Sequence, residues 1–268
     1  MLDFFGLKEK PFSKTPDPKF IYLSDKHKEA LARMEYGAEE KEIIVITGEI
    51  GCGKTTLSRK LLDELDEDKF YPVVIINPRG SAGNFLRNIV KLFSKRDPKY
   101  YKKDLLEQIY EILYSFYEKD ITPVLIIDEA QLISHKEVFE EIRLITNFQM
   151  DDENLISIIL LGQPELKQRL KRGNWEAFRQ RVGFFYHIGP LDEQDTYKYL
   201  EHRFKVAGGT YMPFTNEASK IIYSMSKGIP RVINHLAQNA LLIAFGKGSK
   251  YIDKEIAEES AREYNEWS

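Results

Sequence analysis

The sequence predicts an α/β fold: a parallel five-stranded sheet with helices on both faces, followed by a small all-helical domain. Two observations carry that expectation. Between residues 42 and 190, five short runs of Val, Ile, Leu and Phe alternate with longer amphipathic stretches. That is the pattern of strand–helix units whose strands are buried on both faces. After Pro190 only helical periodicity remains, punctuated by Gly208-Gly209, Gly228 and the pair Gly246 and Gly248.

The elements follow in order. Residues 1–40 read as an arm broken by Pro11, Pro16 and Pro18, with Phe20 and Tyr22 behind them. Ser24 caps a first helix over 26–39, and the arm and this helix are expected to pack on the core. Residues 41–190 form the main domain, with strands expected at 43–47, 71–77, 124–128, 156–162 and 184–188. Between them, helices are expected at 55–65, 84–94, 105–118, 136–148 and 165–181. Residues 191–268, beyond a Gly189-Pro190 hinge, hold four more, at 192–206, 216–226, 231–245 and 253–264.

Composition narrows the function class. At about 150 residues per domain, 268 residues give one large domain or two unequal ones. Hydrophobic residues make up 43% and charged residues 30%, enough apolar material for a core and too balanced for a disordered chain. The net charge of −3 argues against a surface that is cationic throughout, while leaving room for a local basic patch. Mean hydropathy is −0.41, and no apolar run approaches the roughly 18 residues of a membrane helix. No signal peptide is visible, so a soluble, cytoplasmic protein is expected. The single cysteine, Cys52, excludes an internal disulfide framework and any multi-cysteine zinc site.

The strongest motif is Gly48-Glu49-Ile50-Gly51-Cys52-Gly53-Lys54-Thr55, which fits G-x-x-x-x-G-K-[ST] between an expected strand and an expected helix. Glycines let successive backbone N–H groups curl around phosphate oxygens, and the helix adds its positive N-terminus. Lys54 reaches the β- and γ-phosphates, the Thr55 hydroxyl completes a Mg2+ shell, and Thr56 follows in the first turn. The expected bound species are therefore a nucleoside triphosphate, ATP by the resemblance given below, and Mg2+. Cys52 lies close to a helix N-terminus and a lysine, features that stabilise a thiolate; the simpler reading is a small residue tolerated within the loop.

A second element, Val124-Leu125-Ile126-Ile127-Asp128-Glu129, is a buried strand ending in two carboxylates. Asp128 suits a contact to Mg2+, and Glu129 suits the general base that polarises an attacking water. The two elements together make nucleoside triphosphate hydrolysis the best reaction class.

The residues resemble a known family over nearly the whole chain. The P-loop core with its helical appendage is similar to the AAA+ ATPases. More narrowly, the arm Phe4-Phe5-Gly6-Leu7, Pro11-Phe12, Thr15-Pro16-Asp17-Pro18 and Tyr22-Leu23-Ser24 is similar to the ExeA-like (general secretion pathway protein A) ATPases. So are Asp128-Glu129-Ala130-Gln131, Leu161-Gly162-Gln163-Pro164-Glu165-Leu166 and Gly228-Ile229-Pro230-Arg231. The resemblance implies nucleotide-dependent assembly into a ring, a hexamer, with a helical lid over the nucleotide. It implies that Arg231 is the sensor-2 arginine and that Arg181, or else Arg179, is the arginine finger acting on a neighbouring subunit's nucleotide. Gln163 falls where the superfamily carries its sensor-1 residue, more often Asn or Thr. Tyr22, with Phe20, falls where an N-terminal segment approaches the adenine.

Two functions follow from the resemblance. One is an ATP-driven motor or switch for a secretion or pilus system, brought to the inner membrane by partner proteins of that envelope machine. Larger members continue into a membrane helix and a periplasmic part; this sequence ends near Trp267, directly after the last expected helix, and is expected to be either a stand-alone ATPase or a fragment. The other is a regulator of transposition or replication type that binds duplex DNA, for which the basic stretch Lys167-Gln168-Arg169-Leu170-Lys171-Arg172 is the candidate surface.

Overall fold

A computed structural model describes residues 1–13 and 17–267; Thr15 and Pro16 of the arm motif lie outside the described residues. In chain order the helices and strands begin with α1 (Leu2–Phe5), α2 (Asp25–Glu39), β1 (Ile43–Gly48), α3 (Lys54–Glu64) and β2 (Phe70–Ile75). They continue with α4 (Ala82–Phe93), α5 (Lys102–Tyr117), β3 (Thr122–Ile127) and α6 (Lys136–Ile145). A two-stranded ribbon of β4 (Gln149–Met150) and β5 (Glu153–Asn154) precedes β6 (Ser157–Gly162), α7 (Pro164–Leu170), α8 (Glu176–Arg179) and β7 (Val182–Ile188). Four helices close the chain: α9 (Glu193–Val206), α10 (Asn216–Ser226), α11 (Pro230–Gly246) and α12 (Lys254–Trp267). No helix among the described residues is long and apolar enough to cross a membrane.

The expected sheet is present. Its five strands are parallel and ordered β2-β3-β6-β1-β7. The inner strands β1 and β6 are buried at every residue, and β3 at all but its first. Burial on both faces removes any need for alternation, so these strands read as continuous apolar runs. The outer strands β2 and β7 alternate partly buried with exposed positions along much of their length. Ile43, Val45, Leu125, Ile127, Ile158 and Leu160 share one core with α4, α5 and α6. On the opposite face α2 closes tightly: a Cβ on Gly37 would lie 2.4 Å from Ile44 Cγ1.

The described residues divide into two compact units. One comprises residues 28–48 and 57–188, which hold the sheet and its covering helices. The other gathers residues 1–27, 49–56 and 189–268, so that the arm, the phosphate loop and the last four helices cluster together. In this second unit the arm's Phe5, Leu7, Phe12 and Phe20 are core residues alongside Leu200, Phe204, Leu236 and Leu241. Arg203 is buried among them, donates to the Pro11 carbonyl at 2.6 Å and lies 4.9 Å from the Phe20 ring centroid.

Two expected helices differ from the structure. The stretch 165–181 is not continuous: α7 ends at Leu170, a 3-10 turn occupies Gly173–Trp175, and α8 is a single turn. The break lets Trp175 and Phe178 turn inward against Phe139, with ring centroids 4.9 and 5.1 Å away, and buried aromatic area outweighs helical continuity here. The helix from 136 stops at Ile145, because the chain then reverses through Asp151 and Asp152, both with positive φ, in the β4–β5 ribbon.

Candidate functional site

The phosphate loop leaves β1 after Gly48, and α3 opens directly at Lys54. Gly51 and Gly53 hold φ of +85° and +91°, a left-handed backbone that costs a residue with a Cβ 1–2 kcal/mol or so. Gly51 also needs its missing side chain for space, since a Cβ there would sit 2.7 Å from Arg231 Cβ. Arg231, the second residue of α11, therefore abuts the loop backbone. The Lys54 side chain is only 8% exposed and bends back to donate to the Glu49 carbonyl at 3.0 Å. The Cys52 N–H donates to that same carbonyl.

His27 braces the loop from the other side. Its Nε2 is 2.9 Å from the Cys52 carbonyl and its Nδ1 is 2.7 Å from Ser24 Oγ. A carbonyl only accepts, so Nε2 carries a proton and the neutral ring's Nδ1 accepts from the Ser24 hydroxyl. Burial pushes the His27 pKa down, which keeps the ring neutral.

The second group sits at the C-terminal edge of the sheet, where ligands bind in open α/β folds. Asp128, immediately after β3, is buried; its N–H donates to the Ile75 carbonyl and its Oδ1 accepts from the Glu129 N–H at 2.8 Å. Glu129 holds φ of 53°, a left-handed conformation uncommon outside glycine that often marks a functional position. Its Oε2 accepts from Gln131 Nε2 and, at 3.2 Å, from Gln163 Nε2. Gln131 Oε1 in turn accepts from the Gln163 N–H at 3.0 Å. Gly162 makes this possible: a Cβ there would press on Leu166 at 2.6 Å and approach Gln131 Oε1 at 3.3 Å. Arg169 secures the turn beneath, donating to the Ile133 carbonyl and, at 2.8 Å, to the Gln131 carbonyl.

Residues 37–170 match the family model described as AAA domain, half of the 268 residues. The chain belongs to the AAA domain family. It is 38% identical over 255 residues to general secretion pathway protein A of Aeromonas hydrophila, covering 93% of this chain. It spans about half of that relative, 46% of its length. Among solved structures, the Aeropyrum pernix ORC1 protein in complex with DNA superposes with a TM-score of 0.68 at 15% identity, over 96% of this chain and 69% of that one. The Thermotoga maritima RuvB Holliday junction branch migration motor gives 0.58 at 16% identity, over 95% and 73%. At those identities the likeness is one of fold.

In this AAA domain the two candidate fingers lie at the opposite sheet edge from Asp128 and Gln163. Arg181 directly precedes β7, whose Val182 is in register with Ile43 at the start of β1. It lines a cleft of about 630 Å³ whose other walls include Glu39, Glu40, Glu42, Asp152 and Glu153. Arg179 donates to the Lys171 carbonyl at 2.8 Å, so its guanidinium is already engaged. Tyr22 donates its hydroxyl to Asp195 at 2.9 Å and packs edge-on against Tyr199 of α9, while Phe20 is buried. Among the described residues no three of His, Cys, Asp and Glu converge. A divalent cation bound with a nucleotide would therefore draw most of its oxygens from the nucleotide and water, as Mg2+ characteristically does.

Cys52 is fully buried, and burial pushes its thiol pKa up. The structure thus favours the simpler reading of this residue, since the thiolate is the nucleophile. Cys52 is expected to resist alkylation in the native protein and to react once the chain is unfolded in guanidinium; rapid native labelling, followed by mass spectrometry, would contradict this.

Proposed function

We propose that the chain binds ATP with Mg2+ at the phosphate loop and hydrolyses it. The observation that carries this reading is the loop itself: two left-handed glycines, an enclosed Lys54 opening α3, and Arg231 against Gly51. Backbone N–H groups of residues 51–55 and the Lys54 ammonium hold the phosphates. Thr55 and Asp128 hold Mg2+, whose chemistry is to neutralise charge on the phosphate oxygens. Glu129 accepts the proton of the attacking water, and Gln131 and Gln163 fix the direction of its carboxylate. Arg231 reads the nucleotide within the same subunit, and Tyr22 belongs to the segment that borders it.

We further infer ring assembly, a hexamer by resemblance, serving an envelope machine such as a secretion or pilus system. The position of Arg181 supports assembly. It lies at the start of β7, beside the start of β1, whereas the phosphate loop follows the far end of that six-residue strand, a span of about 17–20 Å. A finger placed there serves a neighbour's nucleotide. Arg181→Ala is expected to keep ATP affinity and lose about 100-fold in turnover, the scale of one transition-state donor. Mixing it with Glu129→Gln should restore activity wherever an intact Glu129 meets an intact Arg181. An unchanged Arg181→Ala rate would remove the finger role, and light scattering that shows no growth with a slowly hydrolysed ATP analogue would remove the ring.

A second reading, a regulator acting on nucleic acid, is favoured by one surface feature, the exposed face of α4.

A further inference from the structure

Charge is unevenly distributed in this chain. Residues 79–103 hold eight Lys or Arg against a single Asp, in a protein of net charge −3. Part of that excess is neutralised locally: Arg96 pairs with Glu111 at 3.3 Å, Lys102 with Glu141 at 2.5 Å, and Lys103 with Glu107 at 3.8 Å. The remainder is concentrated on one face. Helix α4 contains no acidic residue. Its Phe85, Leu86, Ile89, Val90 and Phe93 are buried, which turns Asn84, Arg87, Asn88 and Lys91 outward as one stripe at helical spacing.

That stripe is one wall of a groove of about 310 Å³, which Asn77 and Arg79 from the loop after β2 complete. No carboxylate lines it. Arg79, Arg87 and Lys91 form no ion pair among the described residues. Arg87 also ties the groove to the loop before α5, donating to the Tyr100 carbonyl at 3.0 Å with its guanidinium 6.0 Å from the Tyr100 ring centroid. Tyr100 and Tyr101 are 78% and 68% exposed, and their rings meet edge-on at 5.1 Å.

We propose that this face, comprising the α4 stripe, Arg79 and the Tyr100–Tyr101 pair, binds single-stranded nucleic acid. Three cations that no carboxylate neutralises, with interleaved amides, suit successive phosphodiester groups. Two exposed aromatic rings beside them offer a stacking platform, which only an unpaired base can use. The basic stretch 167–172 lacks these properties: Arg169 is spent on backbone carbonyls and Lys167 lies over the Phe185 ring. The binding needs neither ATP nor its hydrolysis, so it stands or falls apart from the nucleotide reading.

The test is fluorescence anisotropy of a labelled single-stranded oligonucleotide with the whole chain. Three phosphate contacts predict that wild-type affinity falls about 20-fold between ~50 and ~200 mM salt. Arg79→Ala/Lys91→Ala should flatten the log–log salt slope by about 1.4. Tyr100→Ala/Tyr101→Ala should weaken binding by roughly tenfold or more with the slope unchanged. Lys167→Ala/Lys171→Ala should bind as wild type does, and thermal melting of all the variants should show that they fold. No binding at low salt, a slope untouched by Arg79→Ala/Lys91→Ala, or loss of binding in Lys167→Ala/Lys171→Ala would overturn the proposal. So would tighter binding of a duplex of equal length, or of phosphatidylserine vesicles when the single strand is not bound.

Discussion

Replacing Lys54 by Ala is expected to weaken Mg·ATP binding by about 100-fold, close to 3 kcal/mol. The ammonium is held in a nearly closed position and donates to a carbonyl of the same loop. A phosphate oxygen is a better acceptor than that neutral carbonyl, because charge-assisted hydrogen bonds are roughly twice as strong as neutral ones. Two such bonds at about 1.5–3 kcal/mol each, less the lost contact to Glu49, give the stated size. Calorimetric titration of wild type and variant measures it directly. The variant's melting temperature without nucleotide should change little, because the side chain removed is not part of either apolar core. Equal ATP affinity in the two proteins would mean that the loop is not the phosphate site.

Glu129→Gln is expected to separate binding from turnover. The amide oxygen of Gln can still accept from Gln131 and Gln163, so the local geometry should persist while the base is lost. General base catalysis contributes about 100- to 10,000-fold, so turnover should fall within that range while ATP affinity stays near wild type. Bound ATP should then persist on the variant long enough to isolate by rapid filtration. A variant that hydrolyses at the wild-type rate would remove Glu129 from the role of base.

The sheet is legible in the sequence because its three inner strands carry apolar residues on both faces, and the phosphate loop is legible because its residues are contiguous. What the sequence leaves hidden depends on distant partners. His27 shapes the loop by bonding a carbonyl 25 residues away; its only local sign is Ser24 three residues earlier, at the helix start. Gln131 belongs to a motif visible in the sequence, yet its function comes from Gln163, 32 residues further along. The same holds for charge. The stretch 167–172 is the denser run of cations in the sequence, while the structure engages Arg169 with backbone and leaves Arg79, Arg87 and Lys91 to share one groove. Counting charges along the chain does not reveal which of them a carboxylate neutralises.

The central claim is that this AAA domain turns over ATP, with Lys54 holding the phosphates and Glu129 acting as the base. Phosphate release by the wild-type protein, measured at saturating ATP with Mg2+ and again after chelation with EDTA, tests it most directly. The account predicts steady turnover with Mg2+ that stops on chelation, falls at least about 100-fold in Glu129→Gln, and in Lys54→Ala needs far more ATP to be sustained. Phosphate release that continues in either variant at the wild-type rate, or a wild-type protein that binds Mg·ATP and releases no phosphate, would contradict it.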